Sequence, residues 1–189
     1  MEKKIPGTSI TYTEQAKDAA YSVISPIIEA TGGISLSQLS KITGLEASTI
    51  QNWIKRGWVS STKGKKYFDK QVTRILLINM MRGVMKLEDI ANIMISINGD
   101  VEDTSDDIIP DIALYNLLCK IIFLADENDA YSDKQLSSII DECVAQFAKT
   151  IISHEDKLKK ALMVMVLAYR SGFIKNCMEA KLAALFEAE

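Results

Sequence analysis

Hydrophobic positions recur at helical spacing along most of the chain, and the breaks between runs set the element order. From Thr13 onward, Ala16, Ala19-Ala20, Val23-Ile24 and Ile27-Ile28 share one side, with Pro26 as a kink or restart. Residues 1–11 lack such a pattern and are expected to be loose. Thr31-Gly32-Gly33 interrupts it. Ser35 then opens a helix, with Gln38 as its capping-box partner and Leu36, Leu39 and Ile42 on one face. Gly44-Leu45 is a turn. A second helix spans about Ala47–Arg56, with Ile50, Trp53 and Ile54 inward. Ser48, Thr49, Gln51, Asn52 and Lys55 are left facing out, and Gly57 stops the helix. Trp58–Phe68 has β-rich ends around a polar, glycine-bearing middle, which predicts a two-stranded wing tipped by Lys63, Lys65 and Lys66. Asp69 is read as the cap of a third helix, Lys70–Met81, and a fourth covers about Leu87–Ile97.

Asn98-Gly99 ends that helix, and the acidic stretch that follows is the clearest linker. Four helices are expected beyond it: about Asp111–Ala125, Asp133–Thr150 capped by Ser132, His154–Ser171 and Ile174–Glu187. Gly172 is read as the break between the last two. Ala161–Ala168 is nearly all apolar, which predicts the buried centre of the C-terminal part. The expected organisation is a helical extension (1–33), a winged module (34–99), an acidic linker (100–108) and a helical domain (109–189).

Composition agrees with a mostly helical chain of 189 residues, since it holds only three prolines and nine glycines. Charge changes the picture more. The net charge is −3, but residues 1–99 hold 13 basic and 8 acidic side chains, against 9 and 17 in residues 100–189. Within Ile34–Lys86 there are ten basic residues against only Glu46 and Asp69. A local excess of this kind offsets phosphate repulsion and dominates non-specific affinity for nucleic acid. The acidic half would be repelled from DNA, so a different role is expected of it.

Little else carries chemistry. No uncharged apolar run is long enough for a membrane span, and no export signal is read at the N-terminus, so a cytoplasmic protein without membrane contact is expected. Cys119, Cys143 and Cys177 are odd in number and widely spaced, which suits reduced thiols. The single histidine, His154, stands beside Glu155-Asp156 without a nucleophile motif. The acidic stretch from Asp100 lacks the glycine and glutamate of a calcium loop. No catalytic residue, cofactor or metal is expected, and the chain is not read as an enzyme.

The order helix, glycine turn, helix ending in glycine, basic wing and two further helices resembles the MerR-type winged helix-turn-helix. Leu36, Leu39, Gly44-Leu45, Thr49-Ile50, Gly57, Gly64, Phe68-Asp69 and Met85-Lys86-Leu87-Glu88-Asp89-Ile90 carry the resemblance, over about a third of the chain. Glu46, Lys66 and Lys86 depart from the family's usual residues, and its long C-terminal coiled-coil helix is absent. Trp53–Gly57, Ile97–Asp100 and Asp106–Ile109 also resemble an uncharacterised bacterial family that joins such a module to a helical domain. The fold class expected is therefore mainly α, a MerR-like winged module with a small β-wing plus a C-terminal helical bundle. The function expected is a sequence-specific transcriptional regulator acting on double-stranded DNA. Ser48, Thr49, Gln51 and Asn52 would meet base edges. Lys55, Arg56, Lys63, Lys65 and Lys66 would hold phosphates. The resemblance implies a homodimer on a palindromic promoter site, and the C-terminal helical domain is the expected dimer surface. A small-molecule effector is compatible with this reading but not identified by it. The alternative is an adaptor that uses the same winged surface on a protein partner without reading DNA.

Overall fold

The computed structural model describes residues 3–103, 105–146 and 154–186. Among them the chain is mainly helical: α1 Ser25–Thr31, α2 Leu36–Thr43, α3 Ala47–Lys55, α4 Asp69–Met81, α5 Leu87–Asn98, α6 Asp111–Glu127, α7 Asp133–Ala145 and α8 Glu155–Phe186. The expected end of α7, with Phe147 and Thr150, lies outside the described residues, as does Glu187.

Local signals act where they stand. Gln38 N–H donates to Ser35 Oγ at 3.3 Å, and Ser35 N–H donates to Gln38 Oε1 at 2.8 Å, which closes the capping box of α2. Gly44 follows α2 at φ 70°. In α3, Ile50 and Trp53 are buried while Ser48, Gln51, Asn52 and Lys55 are exposed, as the apolar phase requires.

The centre of the core is α4, packed on α6 and α8. Ten of its thirteen residues are buried, Gln71 to Ile78 without a gap. The expected burial of Ala161–Ala168 holds in part: Ala161, Leu162, Met165, Val166 and Ala168 are buried, Val164 and Leu167 are partly in solvent, and within the C-terminal part α6 is the more deeply buried helix. The hydrophobic core is continuous across the acidic stretch, joining α2–α5 to α6–α8.

Four expectations are corrected. The segment from Thr13 is not one helix; two 3₁₀ turns, Glu14–Ala16 and Ala20–Val23, precede the short α1. Residues 1–11 are not loose where they are described. Ile5 is fully buried, Tyr115 Oη donates to Pro6 O at 2.7 Å and Asn79 Nδ2 to Gly7 O at 2.9 Å. Gly7 has φ 75°, and a Cβ there would meet Leu76 O at 2.6 Å, so only glycine lets the arm lie on α4. Asp69 is the first residue of α4 and not its cap; it accepts from Tyr21 Oη at 2.7 Å, while Gln71 Oε1 accepts from the Phe68 amide at 3.1 Å. Gly172 does not break the C-terminal helix, since α8 runs through it for 32 residues. One interior glycine costs only about 1 kcal/mol against alanine, which by itself does not end a helix. Lys175 Nζ, one turn on, also donates to Gly83 O at 3.3 Å.

No regular strand occurs among the described residues. The segment expected as a two-stranded wing is a loop with one antiparallel bridge, Lys63 to Lys66. Gly64 and Lys65 at its tip have φ 61° and 58°, the sign pattern of the primed turns that match strand twist. A second bridge joins Ile34 to Tyr67, with N–H···O distances of 2.9 and 2.8 Å.

Candidate functional site

The helix α3 is held by its inner edge. Trp53 is 2 % exposed, and the amide of Trp58 donates to Trp53 O at 3.0 Å just past Gly57. The outer edge is a stripe: Ser48, Gln51, Asn52 and Lys55 sit at i, i+3, i+4 and i+7, all exposed, with Thr49 half-buried beside them. Thr49 and Asn52 also line a cleft of about 470 Å³, closed on the other side by Lys86 and Glu88 at the start of α5.

The basic residues do not behave as one group. Lys55, Lys63 and Lys65 are exposed, the last two at the tip of the hairpin loop. Arg56 lies 5.1 Å over the Trp58 ring and 3.6 Å from Glu88. That ion pair is open to water and contributes little to stability, but it takes some of the charge from this edge. Lys66 is turned inward. Its ammonium donates to Gly33 O at 2.9 Å and Thr31 O at 3.3 Å, so it neutralises carbonyls at the C-terminal end of α1. Its work is to hold the hairpin against α1. Gln71 holds the other side, donating to Ser60 Oγ and Ser61 O at 3.0 Å each.

Arg74, counted in the sequence with the basic surface, is buried. Its Nε lies 3.2 Å from Asp111 Oδ2, with side chains 5 % and 9 % exposed. Asn98 Nδ2 donates to Asp111 Oδ1 at 2.7 Å. Burial pushes the Asp111 carboxyl up, and Arg74 and Asn98 oppose that shift. Asp107 is pushed up to about 6, by burial first and then by Asp111. Periodicity gave no warning of this cluster. The available signals were a lone arginine inside the apolar run of α4 and a lone acid opening the apolar α6. The acidic stretch also reaches the hairpin, where Glu102 Oε1 accepts from the Ser61 amide at 2.8 Å. Cys119 and Cys143 are buried free thiols, both pushed up by burial and so held unreactive.

The family model described as "Domain of unknown function (DUF1836)" matches residues 22–118. The chain belongs to the DUF1836 family. The matched span runs from just before α1 into α6, so it takes in the whole α3 face, the hairpin and the Arg74–Asp111 pair. The chain is also similar to Uncharacterized protein YkrK of Bacillus subtilis (strain 168), with 28 % identity over 106 residues, 54 % of this chain. That stretch is 46 % of the relative, so the chain spans about half of that protein's length. No solved structure matches. Among the described residues, no helix is long and apolar enough to cross a membrane, and no group of three or more His, Cys, Asp or Glu side chains could hold a metal ion.

Proposed function

We propose that the chain is a sequence-specific DNA-binding regulator, with residues 34–97 acting as a MerR-like winged helix-turn-helix. The observation that carries this reading is the exposed stripe of α3. Amides and hydroxyls at Ser48, Gln51 and Asn52 match the hydrogen-bonding edges of the major groove, where Asn and Gln pair with adenine. Lys55 and the exposed hairpin lysines Lys63 and Lys65 would grip phosphate on either side. Lys66 drops out of the contact set proposed from sequence and supports the hairpin instead.

Two such modules, one helical turn of DNA apart, gain affinity by acting together. We assign their link to the outer half of α8. From Ser171 to Phe186 no side chain is buried, and Ile174, Met178, Leu182 and Leu185 fall on one stripe, each half or more exposed. Pairing of two copies through this stripe removes apolar surface from water, worth about 25 cal/mol per Å².

Selection of bound sequences from random duplex DNA tests the reading. The expected result is one enriched, two-fold symmetric site, with binding that weakens as salt rises. Lys65→Ala should reduce the salt slope by about one unit on every sequence. Recovery of no preferred sequence, with binding lost at modest salt, would favour the adaptor alternative.

A further inference from the structure

A second cleft lies past the C-terminal end of α3, and no residue of the outer stripe lines it. It holds about 450 Å³ between the Gly57-Trp58 turn, α4, α5 and the Gly99–Val101 loop. Trp58, Ile78, Met94 and Ile95 make its walls apolar, and Arg74, 4 % exposed, lies at its inner end. The guanidinium is paired in charge with Asp111 but is not fully hydrogen-bonded by it. Nη1 has no partner, and Nε approaches Asp111 without hydrogen-bond geometry. One carboxylate oxygen of Asp111 is already taken by Asn98. Asp100 lines the cleft but is turned onto its own loop, where Oδ1 accepts from the Glu102 amide at 2.8 Å, while Asp107, whose carboxyl feels the Arg74 charge, does not line it. A buried guanidinium with unmet donors is costly unless an acceptor completes it. The volume is that of a small-molecule site, apolar with one placed polar group.

We propose that this cleft binds a small organic carboxylate with a flat or branched apolar body, its carboxylate meeting Arg74 and its body lying against Trp58 and Met94. The planar fork of arginine donors fits a carboxylate better than any neutral acceptor, and the surrounding low dielectric strengthens the contact. Trp58 is joined to α3 through Gly57, so an occupant touches the segment that positions the outer stripe. An effector role rests on the DNA-binding reading; the binding itself does not, and it is measured without DNA.

The test is calorimetric titration of the full chain with indole-3-acetate, benzoate and 4-methylpentanoate, each beside its neutral amide. At least one acid should bind one-to-one and raise the melting temperature, with its amide weaker by about tenfold or more. Ala91→Phe fills the cleft from α5, leaves Arg74 itself unchanged and should abolish binding. Ile95→Glu, at a 59 % exposed position where a polar side chain does not disturb the core, places a like charge at the mouth and should weaken the acid by about fivefold or more. No heat and no melting shift with any of the acids at about 10 mM, amides that bind as well as acids, or unchanged affinity in Ile95→Glu would each overturn the proposal.

Discussion

The outer face of α3 and the outer half of α8 are equally open to water and opposite in chemistry. On α3 the exposed residues are Ser48, Gln51, Asn52 and Lys55, which water solvates at no cost. On α8 they are Ile174, Met178, Leu182, Leu185 and Phe186, which water does not. A polar exposed face can wait for a partner, and what it gains on binding is direction and specificity. An exposed apolar stripe is a standing free-energy cost that any covering surface relieves, and what it gains is affinity. The first suits a ligand read one hydrogen bond at a time, the second a lasting neighbour. Both faces are carried by the same core, since α3 packs on α2 and α4 touches both α2 and α8.

The comparison breaks most completely at Trp53. It is the buried foot of α3, so Trp53→Ala should cost about 3–5 kcal/mol in urea or thermal unfolding. A fully stable variant that no longer binds DNA would instead make Trp53 a contact residue. On the other face, Leu182→Lys should leave the fold intact, because the side chain is 50 % exposed in one copy. Light scattering should show a monomer, and affinity for a symmetric site should fall about a hundredfold as the two modules act separately. A dimer that persists would move the interface elsewhere.

The α3 face sharpens under smaller changes. Gln51→Ala or Asn52→Ala should each cost about 1–3 kcal/mol on the preferred sequence and much less on random DNA, read by competition binding. Equal losses on both would make these side chains positioning contacts only. The smallest effect is expected outside both faces, at Asp107. Its folded pKa is raised to about 6, so its contribution to stability is fully present below the ordinary carboxylate value and is lost as pH rises through about 6. Asp107→Asn should therefore flatten the stability profile between pH ~4 and ~6 and stabilise the protein above that, by under about 1 kcal/mol because solvent screens a half-exposed group. Parallel profiles for the two proteins would show that this carboxyl does not titrate differently on folding.

What the sequence determined by itself was local. The Ser35–Gln38 capping box, the glycine at 44, the inward phase of Ile50 and Trp53 and the outward phase of Ser48, Gln51, Asn52 and Lys55 depend on neighbours within one or two turns, and periodicity reports such neighbours directly. The hairpin was legible as a turn but not in its width, because strand length depends on what the loop pairs with; here the outer bridge is made by Ile34, before α2. Only the tertiary structure decided which charges are surface charges. Lys66 turns inward because the end of α1 offers it Thr31 O and Gly33 O, and Arg74 is buried because α6 brings Asp111 to it. It also decided that the N-terminal arm is pinned, through Pro6, Gly7, Tyr115 and Asn79. The continuity of α8 through Gly172 shows how weak a local signal one glycine is: the half before it is anchored on α4 through α7, and the half beyond it continues as helix although none of its side chains is buried. The placement of those charges and of the arm depends on residues far apart in the chain, whose meeting is set by how all the apolar faces are buried at once, and no window of sequence contains that information.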